Sequence, residues 1–317
     1  MLDTRITALF GCTHPIVGGT MMDLSTPEFV AALCNAGTLG VLCSAMYRTR
    51  ESFREALEKL GDLTNRPFAV NLNLFPMFSP VDNRVYLDEM QKQDVGIVET
   101  SGMSAPTELV PLFRQAGLRW VHKCVGVRYA KKVAELGADA VTVVGYENGG
   151  ATGKLEIGTF VLVPATVEAV SIPVIGGGGV AGGRGLAAML ALGAEGAIVG
   201  TRFLLSEECP VHPALKRALC EASELDTNII MRAVNFPHRV WMNEPAKKAF
   251  ELDRPDCDLA SIMPYVSGEA ARRMYQSGEL DAGTVSCSQG VGMMREIKPL
   301  KILVEEMVGE ASRILGR

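Results

Sequence analysis

Up to Leu204 the chain alternates between two hydrophobic patterns. Short apolar runs recur, and each is trailed by a stretch whose apolar positions return every three or four residues. The runs are HPIVGGT (14–20), LGVLCSA (39–45), FAVNLNL (68–74), VGIVETSG (95–102), RWVHKCV (119–125), AVTVVGYE (140–147), PVIGGGG (173–179) and GAIVGTRFL (196–204). Behind them come helix-like segments such as TPEFVAALCNAG, RESFREALEKLGDL, RYAKKVAELG and GRGLAAMLALG. The runs are apolar on both faces, as strands are when helices cover both sides of a parallel sheet. Several helical segments stop at a glycine just before the next run, at Gly37, Gly117, Gly137 and Gly193, where a left-handed cap ends a helix. Eight βα units in succession predict an α/β protein, a (β/α)8 TIM barrel; an open doubly wound sheet is the alternative that strand counting leaves.

After Leu204 the rhythm changes. HPALKRALCEASE, TNIIMRAV, EPAKKAFELD and SGEAARRMYQSG all read as helices, and PLKILVEEMVGEASRIL reads as a last one. The expected organisation is a barrel over residues 1–212, completed by 288–317, and a small, mostly helical domain over 213–287 that covers the cleft.

Composition narrows the class. The 317 residues are 48% hydrophobic and 21% charged, with a formal net charge of -5. There is no Lys/Arg block for nucleic acid, and the most apolar stretch is broken by Glu195 and Arg202, so no membrane span is expected. MLDTRITALFGCTHP lacks the apolar core of a signal peptide, and the eight cysteines form no CxxC pair. The expectation is a cytoplasmic protein with reduced thiols, no metal site and a small-molecule substrate; a homodimer is compatible with it.

Active sites of such barrels form at the C-terminal ends of the strands. Those ends carry Gly19-Thr20-Met21, Ser44, Asn71 and Asn73, Glu99-Thr100-Ser101, His122-Lys123-Cys124, Tyr146-Glu147, Gly176 to Gly179, and Gly200-Thr201. The glycines at the last two strand ends suit a phosphate held by backbone N–H groups, although they also permit tight turns. Lys123 lies in an apolar strand and needs an anionic partner unless it snorkels outward. The negatively charged edge of a reduced flavin would be such a partner.

HPIVGGTM, FAVNLNL, HKCVGVRYAKKVAELGADAV, GYENGGATG, PVIGGGGVAGGRGLAAMLALGAEGAIVGTRFL and ECPVHPALK closely resemble the nitronate monooxygenase family, formerly 2-nitropropane dioxygenase. That family includes NADH:quinone reductases and FMN-dependent enoyl-thioester reductases. HKC, GTRFL and ECPVHP look most like the quinone reductase branch. The resemblance implies one bound FMN. Gly19, Thr20 and Met21 would lie against the flavin, and Asn71 would hydrogen-bond its ring. Lys123 would sit by the N1/O2 edge, and Gly149 and Gly150 would approach the cofactor. Gly177, Gly178, Gly179, Gly200 and Thr201 would hold the phosphate, and Gln289 would return towards the flavin.

The departure lies in GYENGGATG, where the family's acid/base histidine is replaced by Ala151. An alanine cannot transfer a proton. Tyr146 and Glu147 are the nearest replacements, although Glu147 also suits a loop-capping role. His122 alternates away from Lys123 and reads as structural, as do His14 and His212 before prolines; His238 and Tyr275 are candidates to face the cleft. Cys124 and Cys287 read as inert buried thiols. The loop LFPMFSPVD (74–82) suits an apolar substrate wall or a packed loop.

The resulting expectation is an FMN-dependent oxidoreductase passing electrons from NADH or NADPH to a quinone or similar acceptor. The alternatives are an enoyl-thioester (acyl-CoA) reductase or desaturase, a nitronate monooxygenase, and a non-catalytic flavin-binding module.

Overall fold

The computed structural model describes residues 2–75 and 81–317. Each apolar run supplies a strand: β1 (Ile16–Gly18), β2 (Gly40–Cys43), β3 (Phe68–Asn73), β4 (Ile97–Ser101), β5 (Arg119–Cys124) and β6 (Ala140–Val144). A two-residue strand, β7 (Gly150–Ala151), lies outside the barrel, and β8 (Val174–Gly177) and β9 (Gly196–Val199) complete it. All barrel pairings are parallel, in the order β1-β9-β8-β6-β5-β4-β3-β2. A parallel bridge from Val17 to Leu39, with Gly18 donating its N–H to the Leu39 carbonyl at 2.9 Å, joins the two ends. That bridge decides for the barrel over the open sheet.

The two ends of the barrel differ chemically. Inside it, Val17, Val41, Ala69, Ile97, Val121 and Ile175 form one cluster with Ile6 and Phe10 of the helix Arg5–Phe10. This helix plugs the end where the strands begin. Thr4 and Thr7 form its capping box, and Gly11 ends it in the left-handed conformation. Further along the strands the inward positions become polar.

The last strand is followed only by the one-turn helix Thr201–Leu204. The outer layer is completed by the C-terminal helix Leu300–Leu315, which packs between the helices Gly183–Ala191 and Pro27–Asn35. The final segment therefore returns to the barrel.

The region 213–287 departs from expectation in one respect. TNIIMRAV is not a helix. Thr227–Ile230 is β10, antiparallel to β11 (His238–Trp241), and β11 also pairs with β7. Thr227, Ile229 and Ile230 are β-branched and fully or largely buried, and distant partner strands override the helical reading. The helices Pro213–Glu221, Glu244–Leu252 and Gly268–Ser277 form as expected, joined by Leu259–Val266. Ile230, Val240, Ala246, Ala249 and Ile262 make a separate small core beneath the strands.

Phe10 is fully buried at the plug. Phe10→Ala should destabilise the protein by about 3–5 kcal/mol. Chemical denaturation checks this; an unchanged midpoint would show that the plug does not support the barrel.

Candidate active site

At the open end of the barrel one carboxylate gathers three strands. Glu99 of β4 is 1% exposed. Its Oε1 accepts from Thr20 Oγ1 and Asn71 Nδ2, both at 2.7 Å, and lies 3.5 Å from Lys123 Nζ. Asn71 Nδ2 also donates to Ser101 Oγ at 3.1 Å. A buried charge is tolerated only when paired and hydrogen-bonded, and this cluster meets that condition for one oxygen. Oε2 is buried without a partner among the described residues. The anionic partner demanded by Lys123 is therefore within the chain. Register explains the meeting: Asn71 stands opposite Glu99 on the neighbouring strand, and Ser101 opposite Lys123.

The glycines at the end of β8 each meet a constraint. A side chain at Gly177 would strike Ile198, and Gly178, at φ +114°, lies against Thr159. Gly179 packs against Gly290, beside Gln289, whose N–H donates to the Glu147 carbonyl at 3.1 Å. Packing thus accounts for much of the glycine run without a ligand. Two features remain for one: the N–H groups of Gly178 and Gly179 have no acceptor among the described residues, and a Cβ at Gly200 would meet nothing. Consecutive free N–H groups form an anion-binding concavity. Thr201 Oγ1 accepts from Ser288 N–H at 3.0 Å, and Gly19 donates to the Val199 carbonyl at 2.8 Å, which keeps both residues at the mouth. The Met21 N–H is held by Ser25 Oγ at 2.9 Å.

The loop after β6 is organised by its own polar groups. Glu147 accepts from the Thr159 N–H at 2.9 Å and the Thr159 hydroxyl at 2.6 Å, and so caps the helix Thr159–Ala169. The Tyr146 ring lies under the Arg239 guanidinium, 4.6 Å away, and its carbonyl accepts from Arg239 Nε at 3.2 Å. The Glu147 carboxylate is thereby committed to the loop, and the Tyr146 ring is held by Arg239. Gly149 is required by the Cys287–Ser288 backbone, which a Cβ would approach to 2.7 Å. Gly150 pairs with Arg239, and Ala151 pairs with His238.

Other residues singled out in the sequence fall away from the mouth. His122 points outward, with its Nδ1 2.8 Å from Thr100 Oγ1, which also accepts from Trp120 Nε1 at 2.8 Å. His212 caps the helix Pro213–Glu221, and Tyr275 packs on the main core. Burial raises the thiol pKa of Cys124 to about 12 and that of Cys287 higher still. All eight cysteines are unpaired. Within the loop 74–82, residues 76–80 lie outside the described residues. Phe75 and Val81 line a cleft of about 630 Å³ with Ser44, Asn73 and Tyr86. Among the described residues no helix is long and apolar enough to cross a membrane, and no cluster of metal-binding side chains occurs.

Sequence reasoning placed Glu99 at a strand end but gave it no role. A carboxylate inside the run VGIVETSG was the signal, the same kind that drew attention to Lys123.

The sequence model of the nitronate monooxygenase family matches residues 3–310. A curated relative from Rhodococcus jostii (strain RHA1), "(3aS,4S,5R,7aS)-5-hydroxy-7a-methyl-1-oxo-octahydro-1H-indene-4-carboxyl-CoA dehydrogenase", is 38% identical over 75% of this chain. The match spans 65% of that relative's length. The structure of FabK from Thermotoga maritima superposes with a TM-score of 0.91 at 32% identity, covering 100% of this chain and 98% of that one. A nitroalkane oxidase from Streptomyces ansochromogenes superposes with a TM-score of 0.84 at 27% identity, covering 98% of this chain and 100% of that one.

The buried His122 also predicts a pH effect. Burial, aided by the charge of Lys123 and opposed by that of Glu99, lowers its pKa to about 4. The unfolded chain takes up this proton near about pH 6.5, while the folded chain resists it. The contribution is therefore fully present above pH ~6.5 and lost as pH falls towards 4, at about 1 kcal/mol per pH unit. Urea denaturation from pH 7 to 4.5 should show a shallower decline for His122→Gln than for the wild type. Equal slopes would contradict the buried, neutral assignment.

Proposed function

Since the chain belongs to the nitronate monooxygenase family, we propose that it binds FMN and uses it for oxidoreduction of the carbon–carbon bond beside an acyl-CoA thioester. The protein is a flavin-dependent oxidoreductase; the identity of the flavin as FMN and of the substrate as a thioester are the proposal. The observation that carries the thioester reading is the 38% identical relative named for a carboxyl-CoA substrate. It moves this alternative ahead of the quinone acceptor that the motifs HKC and ECPVHP favoured. The quinone reading remains second, on those motifs.

The residues at the mouth fit a flavin. A flat imide ring asks for an acceptor for its N–H and donors for its carbonyls. Asn71 spends its N–H₂ on Glu99 and Ser101, and its Oδ1 has no partner among the described residues and is not sealed in. Lys123 has N–H groups beyond the one facing Glu99. Gly178 and Gly179 offer N–H groups for a single phosphate, which suits FMN. When bound, the flavin supplies the two-electron chemistry; the chain supplies orientation and charge. Lys123 supplies a cation at the mouth, and Glu99 fixes where that cation stands.

The purified protein should be yellow and release FMN on denaturation. Under anaerobic conditions NADH or NADPH should bleach it, and crotonyl-CoA should restore the colour faster than menadione. Release of FAD, or a protein that takes up no flavin, would sink the cofactor assignment. Recovery with menadione alone would favour the quinone reading.

Lys123→Met should lower the midpoint potential of the bound flavin, because it removes a cation and leaves the charge of Glu99 uncompensated. Spectroelectrochemical titration reads this. An unchanged potential would place Lys123 away from the flavin.

A further inference from the structure

We propose that His238, carried by the second strand of the small sheet, takes the proton-handling place that Ala151 leaves. The inference rests on the reading of the barrel mouth as a flavin site, and it adds a catalytic residue to that site.

Three observations support it. The first is register. Ala151 and His238 are directly opposed in the antiparallel β7–β11 pair. Opposed residues share a face of the sheet, with Cβ atoms about 4.5–5.5 Å apart. An imidazole from position 238 therefore stands on the same face of the sheet as one at position 151 would, the face that also carries Ile230 and Val240 of the small core.

The second is where the hairpin lies. Phe236 packs edge-on against Phe75, just past β3, with ring centroids 5.3 Å apart. Next in sequence, the Pro237 carbonyl accepts from Thr152 N–H at 3.0 Å, in the loop after β6. The turn before His238 thus spans from the β3 end to the β6 end. Between those ends stand β4 and β5, which carry Glu99 and Lys123. His238 enters the small sheet directly from this bridge.

The third is the state of the ring. His238 is half-buried, and its Nε2 lies 2.9 Å from Ser286 Oγ. Among the described residues Nδ1 has no hydrogen-bond partner, and it is not sealed from its surroundings. With Nε2–H donating to Ser286, Nδ1 presents its lone pair and accepts a proton. Burial lowers the pKa to about 4, which keeps the ring neutral and makes it a weaker base than a free imidazole. Of the competing groups, the Glu147 carboxylate is engaged by Thr159, and the Tyr146 ring is held under Arg239.

With a nitroalkane the step balances simply. The Cα proton moves to Nδ1, and the C–H electron pair becomes the C=N bond of the nitronate. The negative charge rests on the nitro oxygens, and the imidazolium later returns the proton to water. With a thioester the same transfer would leave the electron pair in the enolate.

The test compares the flavin-loaded wild type, His238→Ala, and the relocated pair His238→Ala with Ala151→His. Oxygen uptake is measured with neutral 2-nitropropane and with its preformed nitronate. His238→Ala should slow the neutral substrate about a hundredfold to ten-thousandfold, and the relocated pair should recover at least about tenfold of that. The nitronate rate should fall far less, because its proton is already gone. The proposal is overturned if His238→Ala oxidises neutral 2-nitropropane as fast as the wild type, including the case in which neither does so.

A second readout needs no turnover. The chain has only four histidines. In ¹⁵N-histidine spectra of the flavin-loaded protein, 2-nitropropane should shift the His238 signals and leave those of His122 in place. Unmoved His238 signals would also overturn the proposal. Failure to bind or reduce flavin would instead sink the previous reading. A protein that binds and cycles flavin but ignores His238→Ala would sink this one alone.

Discussion

A single buried oxygen, Oε1 of Glu99, holds the mouth of this barrel together. Thr20 arrives from the end of β1, Asn71 from β3 and Lys123 from β5, and all three face that atom. Desolvating a carboxylate costs several kcal/mol, and donors on separate strands offset this only if the strands keep their register. The arrangement has chemical consequences. It turns the Asn71 amide and holds a cation at the rim; among the described residues the Asn71 oxygen is free and Glu99 Oε2 is unpartnered. The mouth is thereby polar and ordered before any ligand arrives, while the apolar plug of Ile6 and Phe10 closes the other end.

Much of this was legible in the sequence, for identifiable reasons. Runs apolar on both faces and glycine-capped helices report local constraints, so the eight strands and their helices could be located from periodicity alone. Closure could not, because the Val17–Leu39 bridge depends on sheet curvature. Lys123 was conspicuous as a lone charge in an apolar strand. Its partner was equally visible in VGIVETSG, but nothing local says that β4 and β5 are neighbours with these residues near one level. In the sequence the glycine run suits either a phosphate or tight turns, and contacts with Ile198, Thr159 and Gly290 explain much of it.

The small sheet shows the other limit of local reading. TNIIMRAV has a pattern compatible with a helix, but its β-branched residues meet β11, and β11 in turn reaches the loop after β6. That long-range pairing changes the reading of GYENGGATG. Taken alone, the loop has lost its proton-handling side chain. Paired with β11, it stands beside a histidine held by Ser286. An absence in one motif is informative only once the neighbouring strand is known.

The central claim is that Glu99 organises a flavin-binding mouth, and FMN affinity tests it most directly. Flavin-free wild type and Glu99→Leu would be titrated with FMN, following quenching of its fluorescence, after circular dichroism has established that both are folded. Loss of the carboxylate frees Asn71 and Lys123 from their shared anchor. Binding in the variant should be at least about tenfold weaker, which corresponds to about 1.4 kcal/mol. Equal affinity in two equally folded proteins would contradict it.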